Sequence, residues 1–197
     1  MRLTGELRRE QILDVTKSIV DDRGFHAVSI DGVARAAGIS RPVVYEHFES
    51  LPGLLDALVR REGARALGQL DAVLPSAWLA GHPREQLADA LRAYLIAVRE
   101  DPATWRLVLM PPEGAPAVLR EQIAAGRDSV VARLADAVTR GFATGHESPD
   151  PELTARVMSA VADECARLLL TDQERYSIKR LVSHVEWLVE QLEPQRA

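Results

Sequence analysis

The chain of 197 residues holds one cysteine, Cys165, so it can form neither an internal disulfide nor a zinc site built from several thiolates. Lysine is almost missing as well: Lys17 and Lys179 are the two in a set of 24 basic residues, the rest being arginine. No apolar run approaches the length of a membrane span, and the N-terminus lacks the apolar core of a secretory signal. The sequence therefore reads as a soluble cytoplasmic protein without membrane partners. Enzyme signatures are absent too. There is no phosphate-binding Gly-rich loop, no Gly-x-Ser-x-Gly elbow, no Gly-x-Gly-x-x-Gly fingerprint and no His-Glu-x-x-His pair. The five histidines are scattered, and none follows a glutamate by three positions, as a di-metal helical bundle would require. No catalytic residue, metal or cofactor is expected.

Strand signals are scarce. Ala, Leu, Arg and Glu dominate, and apolar residues recur at helical spacing, which predicts an all-α chain. The net charge of −5 is unevenly placed. Residues 1–61 carry nine basic and nine acidic side chains, so the acidity belongs to the remainder. Local arrangement of charge, more than the total, governs binding to a polyanion.

The richest stretch is Ser29 to Phe48. Ser29 is a good N-cap, and Ile30, Val33, Ala34 and Ala37 make one apolar helical face after it. Gly38 permits a sharp turn, Ile39 plugs the corner, and Ser40 is expected to cap a second helix with Pro42 in its first turn. There Val44 and Phe48, four apart, face inward together, leaving Arg41, Val43, Tyr45 and His47 to point elsewhere. Two short helices joined this way form a helix-turn-helix, whose second helix enters the major groove of DNA. A preceding helix over about Glu6 to Asp22 turns inward Ile12, Val15, Ile19 and Val20, and Gly24 stops it ahead of Phe25, a core anchor.

These residues resemble the N-terminal domain of the TetR family of transcriptional repressors. The matching elements are Gly24-Phe25, Val33-Ala34…Ala37-Gly38-Ile39-Ser40 and Tyr45-Glu46-His47-Phe48, followed by Ser50…Leu54-Leu55. The resemblance is specific over about Leu7 to Val59. It implies a helix-turn-helix DNA-binding domain at residues 1–51 and a helical effector-binding and dimerisation domain at 52–197. It assigns Arg41, Pro42 and Val43 to base edges and Ser29, Tyr45 and His47 to phosphates. Arg35 would take either role, and Ser40 belongs to the same DNA-facing set. Many members carry a lysine after the serine at position 50; here Leu51 stands there, removing one expected phosphate contact. That loss should flatten the log–log salt dependence of binding by about one unit.

Beyond residue 52 the pattern predicts a long linking helix to about Leu74, a helix over about Arg84 to Arg99 and a short apolar segment around Trp105. A long helix from about Pro116 to Arg140 and two final helices complete the chain. Leu153, Val157, Val161, Cys165, Leu168 and Leu169 stripe the first of that last pair. Ile178, Leu181, Val182, Val185, Leu188, Val189 and Leu192 stripe the other. The resembled family dimerises through its last two helices, which nominates Val161, Leu168, Leu181, Val185, Leu188 and Leu192 as interface. A homodimer would read an inverted-repeat operator in double-stranded DNA.

The family also commonly holds a small-molecule effector among its middle helices, weakening DNA affinity when bound. Trp78, Tyr94, Trp105, Met110, Phe142 and Cys165 are the side chains suited to an apolar ligand, with Arg106 and His146 able to orient a polar group. The resulting expectation is a dimeric regulator, a repressor released by an effector. The alternative is a helical interaction protein that has lost DNA binding, for which the uncharged N-terminal unit and Leu51 speak.

Overall fold

The computed structural model describes residues 4–73, 83–111, 115–141 and 150–192. Among them are nine α-helices and no strand. The helices are α1 (Gly5–Arg23), α2 (Ile30–Ala37), α3 (Arg41–Phe48), α4 (Leu51–Val73), α5 (Pro83–Glu100), α6 (Pro102–Leu109), α7 (Ala117–Gly141), α8 (Pro151–Thr171) and α9 (Ile178–Leu192). The all-α expectation holds. The helix boundaries fall close to those read from capping and periodicity.

Two compact units divide the chain, and they do not follow chain order. The first joins residues 1–66 with 103–125; the second joins 67–102 with 126–197.

In the first unit α1 buries Ile12, Leu13, Ile19 and Val20, and ends where Gly24 takes φ +79° and donates its N–H to the Val20 carbonyl at 2.8 Å. A 3-10 turn, Phe25–Ala27, then drives Phe25 into the core. The Ser29 hydroxyl accepts from the Gly32 N–H at 3.1 Å and starts α2, whose Ile30, Val33, Ala34 and Ala37 are all buried. Gly38, at φ +66°, closes α2 in the left-handed region that suits glycine. Val44 and Phe48 of α3 complete the buried face, and Ile39 packs against the same core as a half-buried residue. The α3–α4 corner is tight. A Cβ on Gly53 would lie 2.6 Å from the Phe48 carbonyl oxygen, a distance that only glycine allows. Leu54, Leu58 and Val59 of α4 join this core, as do Leu107 of α6 and Leu119 of α7.

In the second unit α5 packs against α8 and α9. Its buried residues include Leu91, Tyr94, Leu95 and Val98 from α5, Ala155, Cys165, Ala166 and Leu169 from α8, and Leu181 and Val182 from α9. A smaller apolar cluster links Val131 and Leu134 of α7 to Ala155 of α8. The Asp150 carboxylate caps α8 by accepting from the Leu153 N–H at 2.9 Å.

Candidate nucleic-acid interface

Because α3 sinks Val44 and Phe48 into the core, helical geometry turns its other face outward. Arg41, Pro42 and Tyr45 are exposed, Tyr45 by 49%, while Val43 and His47 are half-buried at the edges. Ser29, Arg35 and Ser40 are exposed on the adjoining turn and on α2. All eight residues expected to meet DNA thus lie on the paired short helices or at their N-caps, and none of them is fully buried.

One local expectation fails. Ser40 occupies the N-cap position of α3, yet its hydroxyl makes no capping hydrogen bond. Pro42 has no N–H to offer, and the Val43 N–H instead bonds the Ser40 carbonyl at 3.1 Å. With no cap to make, that hydroxyl keeps both its donor and its acceptor capacity for an outside partner.

Several residues that hold this surface escaped the sequence reading. The Arg9 guanidinium donates to the His47 carbonyl at 2.9 Å and lies 4.3 Å from the centre of the Phe48 ring. A cation at the C-terminal carbonyls of α3 also suits the helix dipole. Gln11 does the same for α2, donating to the Ala37 carbonyl at 3.1 Å. Asp31, in the first turn of α2, forms a two-point ion pair with Arg41 through both its oxygens. Polar residues on an amphipathic helix ordinarily face water, so no sequence signal separated Arg9 and Gln11 from the remaining polar face of α1.

The first unit also holds a buried charge cluster. Glu62 of α4 is fully buried, and its Oε2 sits 2.9 Å from Lys17 Nζ of α1. The buried Thr104 hydroxyl of α6 donates to the same carboxylate oxygen. Lys17 also donates to Thr104 Oγ1 at 2.6 Å, and Arg61 reaches Glu62, Glu10 and Asp14 within 2.9 Å. Burial alone would raise the Glu62 carboxyl; the hydrogen bonds from Thr104 and Lys17 and the charges of Lys17 and Arg61 outweigh it and hold the group below the usual carboxylate range. Arg106 of α6 adds a pair of 3.1 Å bonds to Asp21 of α1.

Four of the expected effector residues are described, two in each compact unit. Tyr94 and Cys165 are buried in the second unit, whereas Trp105 and Met110 belong to the first. Trp78, Phe142 and His146 lie outside the described residues. The Tyr94 hydroxyl lies 3.5 Å from Asp163, and burial, reinforced by that carboxylate, pushes it well above its ordinary value. Burial likewise raises the Cys165 thiol, with Glu164 adding to it. Trp105 is fully enclosed in the core, which leaves no face of it for a ligand. Met110 is exposed and lines a cleft of about 160 Å³ with Val20, Leu58, Leu107, Asp21 and Arg106.

The interface stripe also needs redrawing. Val161 and Leu188 are each 40% exposed, and Leu168 and Val185 are half-buried. Leu181 is buried within the single chain, because it faces inward within the second unit, and so drops out of the candidate interface. Leu192 closes α9, its side chain outside the described set. Leu153 and Val157 of α8, each 57% exposed, and Trp187 of α9, stacked on His184, are further exposed apolar residues outside the expected set.

Comparison with known proteins agrees with this geometry. Residues 12–58 match the family model for bacterial regulatory proteins of the tetR family. The HTH-type transcriptional activator FasR of Mycolicibacterium smegmatis is 25% identical over 171 residues, covering 87% of this chain and 76% of that protein. Among solved structures, a TetR-like transcriptional regulator from Rhodococcus sp. RHA1 is 25% identical, with a TM-score of 0.75 over 98% of this chain and all of the other. A transcriptional regulator of Saccharomonospora viridis, crystallised with choline, has a TM-score of 0.74 at 22% identity, covering 97% of this chain and 100% of that one.

Proposed function

The chain belongs to the TetR family of transcriptional regulators, and we propose that it acts as a cytoplasmic homodimeric repressor, released from an inverted-repeat operator by a small-molecule effector. The observation that carries this reading is the outward face of α3. Arg41, Pro42 and Tyr45 stand clear of the core on a helix whose opposite face, Val44 and Phe48, anchors it rigidly. In this reading Arg41, Pro42 and Val43 meet base edges, while Ser29, Ser40, Tyr45 and His47 meet phosphates and Arg35 serves either. Residues 1–51 form the DNA-binding domain, and 52–197 provide the effector and dimer functions.

The exposed apolar stripe of α8 and α9 supports dimerisation. Leu153, Val157 and Val161, four apart along α8, and Trp187 and Leu188 of α9 are large apolar side chains left exposed in the single chain, which a partner helix would cover. Two copies of α3 related by a two-fold axis would then read half-sites about 34 Å apart or a multiple of that. Because the N-terminal region carries no net charge, a single copy should bind weakly, and specificity should depend on the dimer.

For the effector, the choline-bound neighbour illustrates that this fold can hold a small molecule, and at 22% identity its ligand is not carried over. Of the residues proposed to line the effector site, Tyr94 and Cys165 lie in the second unit, and Met110 lines the cleft in the first. Repression follows from a dimer covering an operator and blocking polymerase, although the relative FasR is named an activator. A reporter fused downstream of the operator determines the sign.

Selection of random duplex DNA by the purified protein tests the reading. An enriched inverted repeat, lost in the Arg41→Ala/Tyr45→Ala double substitution with helicity and dimerisation intact, is expected. No enrichment by a folded dimer freed of ligand by unfolding and refolding would overturn DNA binding and favour the interaction-protein reading.

A further inference from the structure

Asp31 is a carboxylate on the face assigned to DNA, where it repels phosphate and weakens any backbone-driven affinity. Its environment gives it a specific task. It sits in the first turn of α2, and its Oδ1 meets Nε of Arg41 while its Oδ2 meets Nη2. Two parallel contacts between a planar carboxylate and a planar guanidinium fix the plane of the arginine as well as its position. Both partners are exposed, Arg41 by 60% and Asp31 by 48%, so the pair adds little to fold stability. Its consequence lies in how Arg41 is presented.

An arginine has two edges able to make paired hydrogen bonds. The pair with Asp31 consumes the Nε–Nη2 edge. The terminal edge, Nη1 with the remaining N–H of Nη2, is left, and its two donors match the O6 and N7 acceptors of guanine in the major groove. Adenine offers a donor in place of one acceptor, and cytosine and thymine offer no matching pair.

We propose that Asp31 is the positioning residue that makes Arg41 a guanine reader. It holds the inner edge of the guanidinium so that the terminal edge meets one guanine in each half-site, and its charge discourages Arg41 from settling on a phosphate instead. Pre-ordering the side chain also reduces the freedom lost on docking. The inference rests on the DNA-binding reading of α3.

The test selects random duplexes with the wild-type protein, Asp31→Asn, Asp31→Ser and Arg41→Ala, all checked for an unchanged thermal melt. Affinities are then measured on the selected site, on its single-base variants and on unrelated duplex DNA. The wild type should require guanine at one symmetric position, with replacement costing about tenfold or more in affinity. Asp31→Asn and Asp31→Ser should lose most of that preference while binding unrelated DNA more tightly, and Arg41→Ala should lose it entirely. Suppose instead that both Asp31 variants keep the full guanine preference and the same affinity for unrelated DNA, while Arg41→Ala loses the preference. Then Asp31 has no reading role, though α3 still binds DNA. A selected site with no guanine that depends on Arg41 also overturns the proposal. No site selected by the wild type removes the DNA-binding reading and this inference with it.

Discussion

Glu62 shows how far one side chain can be constrained by its neighbours. A buried carboxylate costs several kcal/mol unless it is paired, and here Lys17, Arg61 and Thr104 supply the pairing. Replacing the carboxylate withdraws the buried charge that Lys17 meets at 2.9 Å, so Glu62→Gln should destabilise the protein by about 3 kcal/mol in chemical denaturation. The pH dependence has a defined sign. A carboxyl held below its ordinary value when folded contributes stability that is fully present above the unfolded value of about 4.3. That contribution is lost as pH falls through the lower, folded value. Wild-type stability should therefore drop below about pH 4.3, whereas Glu62→Gln should show a shallower fall across the same window in thermal melts. Equal slopes in the two proteins would show that Glu62 is not held ionised by this cluster.

Among the helices, α8 and α9 carry the clearest unspent apolar surface. Val157 and Leu188 are exposed by 57% and 40%, and a charge placed at either meets water in the monomer but would be desolvated in a dimer. The Val157→Glu/Leu188→Glu double substitution is expected to keep helicity and sediment as a monomer. A double variant that still sediments as a dimer would move the interface elsewhere. Leu181 is a poor choice for such a test, because its burial in the single chain means that charging it disturbs folding first. Within the N-terminal unit, α1 acts as a clamp. Arg9 and Gln11 hold the C-terminal carbonyls of α3 and α2, so the orientation of the outward face depends on a helix that carries none of it.

For the molecule as a whole, the division into compact units bears on what can fold alone. The core that supports α3 draws Leu107 from α6 and Leu119 from α7, and the Glu62 cluster draws Thr104 from α6. Each buried leucine contributes about 1.5–3 kcal/mol, against a total stability of about 5–15 kcal/mol for a typical domain. A fragment covering residues 1–73 should therefore lose cooperative thermal unfolding by circular dichroism, although it contains every proposed DNA contact. A sharp, two-state melt of that fragment would show the later helices to be dispensable. The proposed functional boundary after residue 51 concerns which residues meet DNA; the core that holds them extends to residue 125.

Much of this was legible in the chain alone. Helix starts and stops depend on neighbours in sequence, so Ser29, Gly24, Gly38 and Pro42 announced α1, α2 and α3 nearly to the residue. The inward pairing of Val44 and Phe48 follows from a spacing of four, and with it the outward face of α3. The same rule overreached in α9, where periodicity identified an apolar stripe but could not divide it between the chain's own core and a partner. Trp105 and Met110, five residues apart, came to opposite environments for the same reason. Capping and periodicity are local, set by a few consecutive residues. Which carboxylate holds Arg41, which arginine clamps α3 and which threonine reaches Glu62 depend on partners 10, 38 and 42 positions away, and tertiary contact alone selects them.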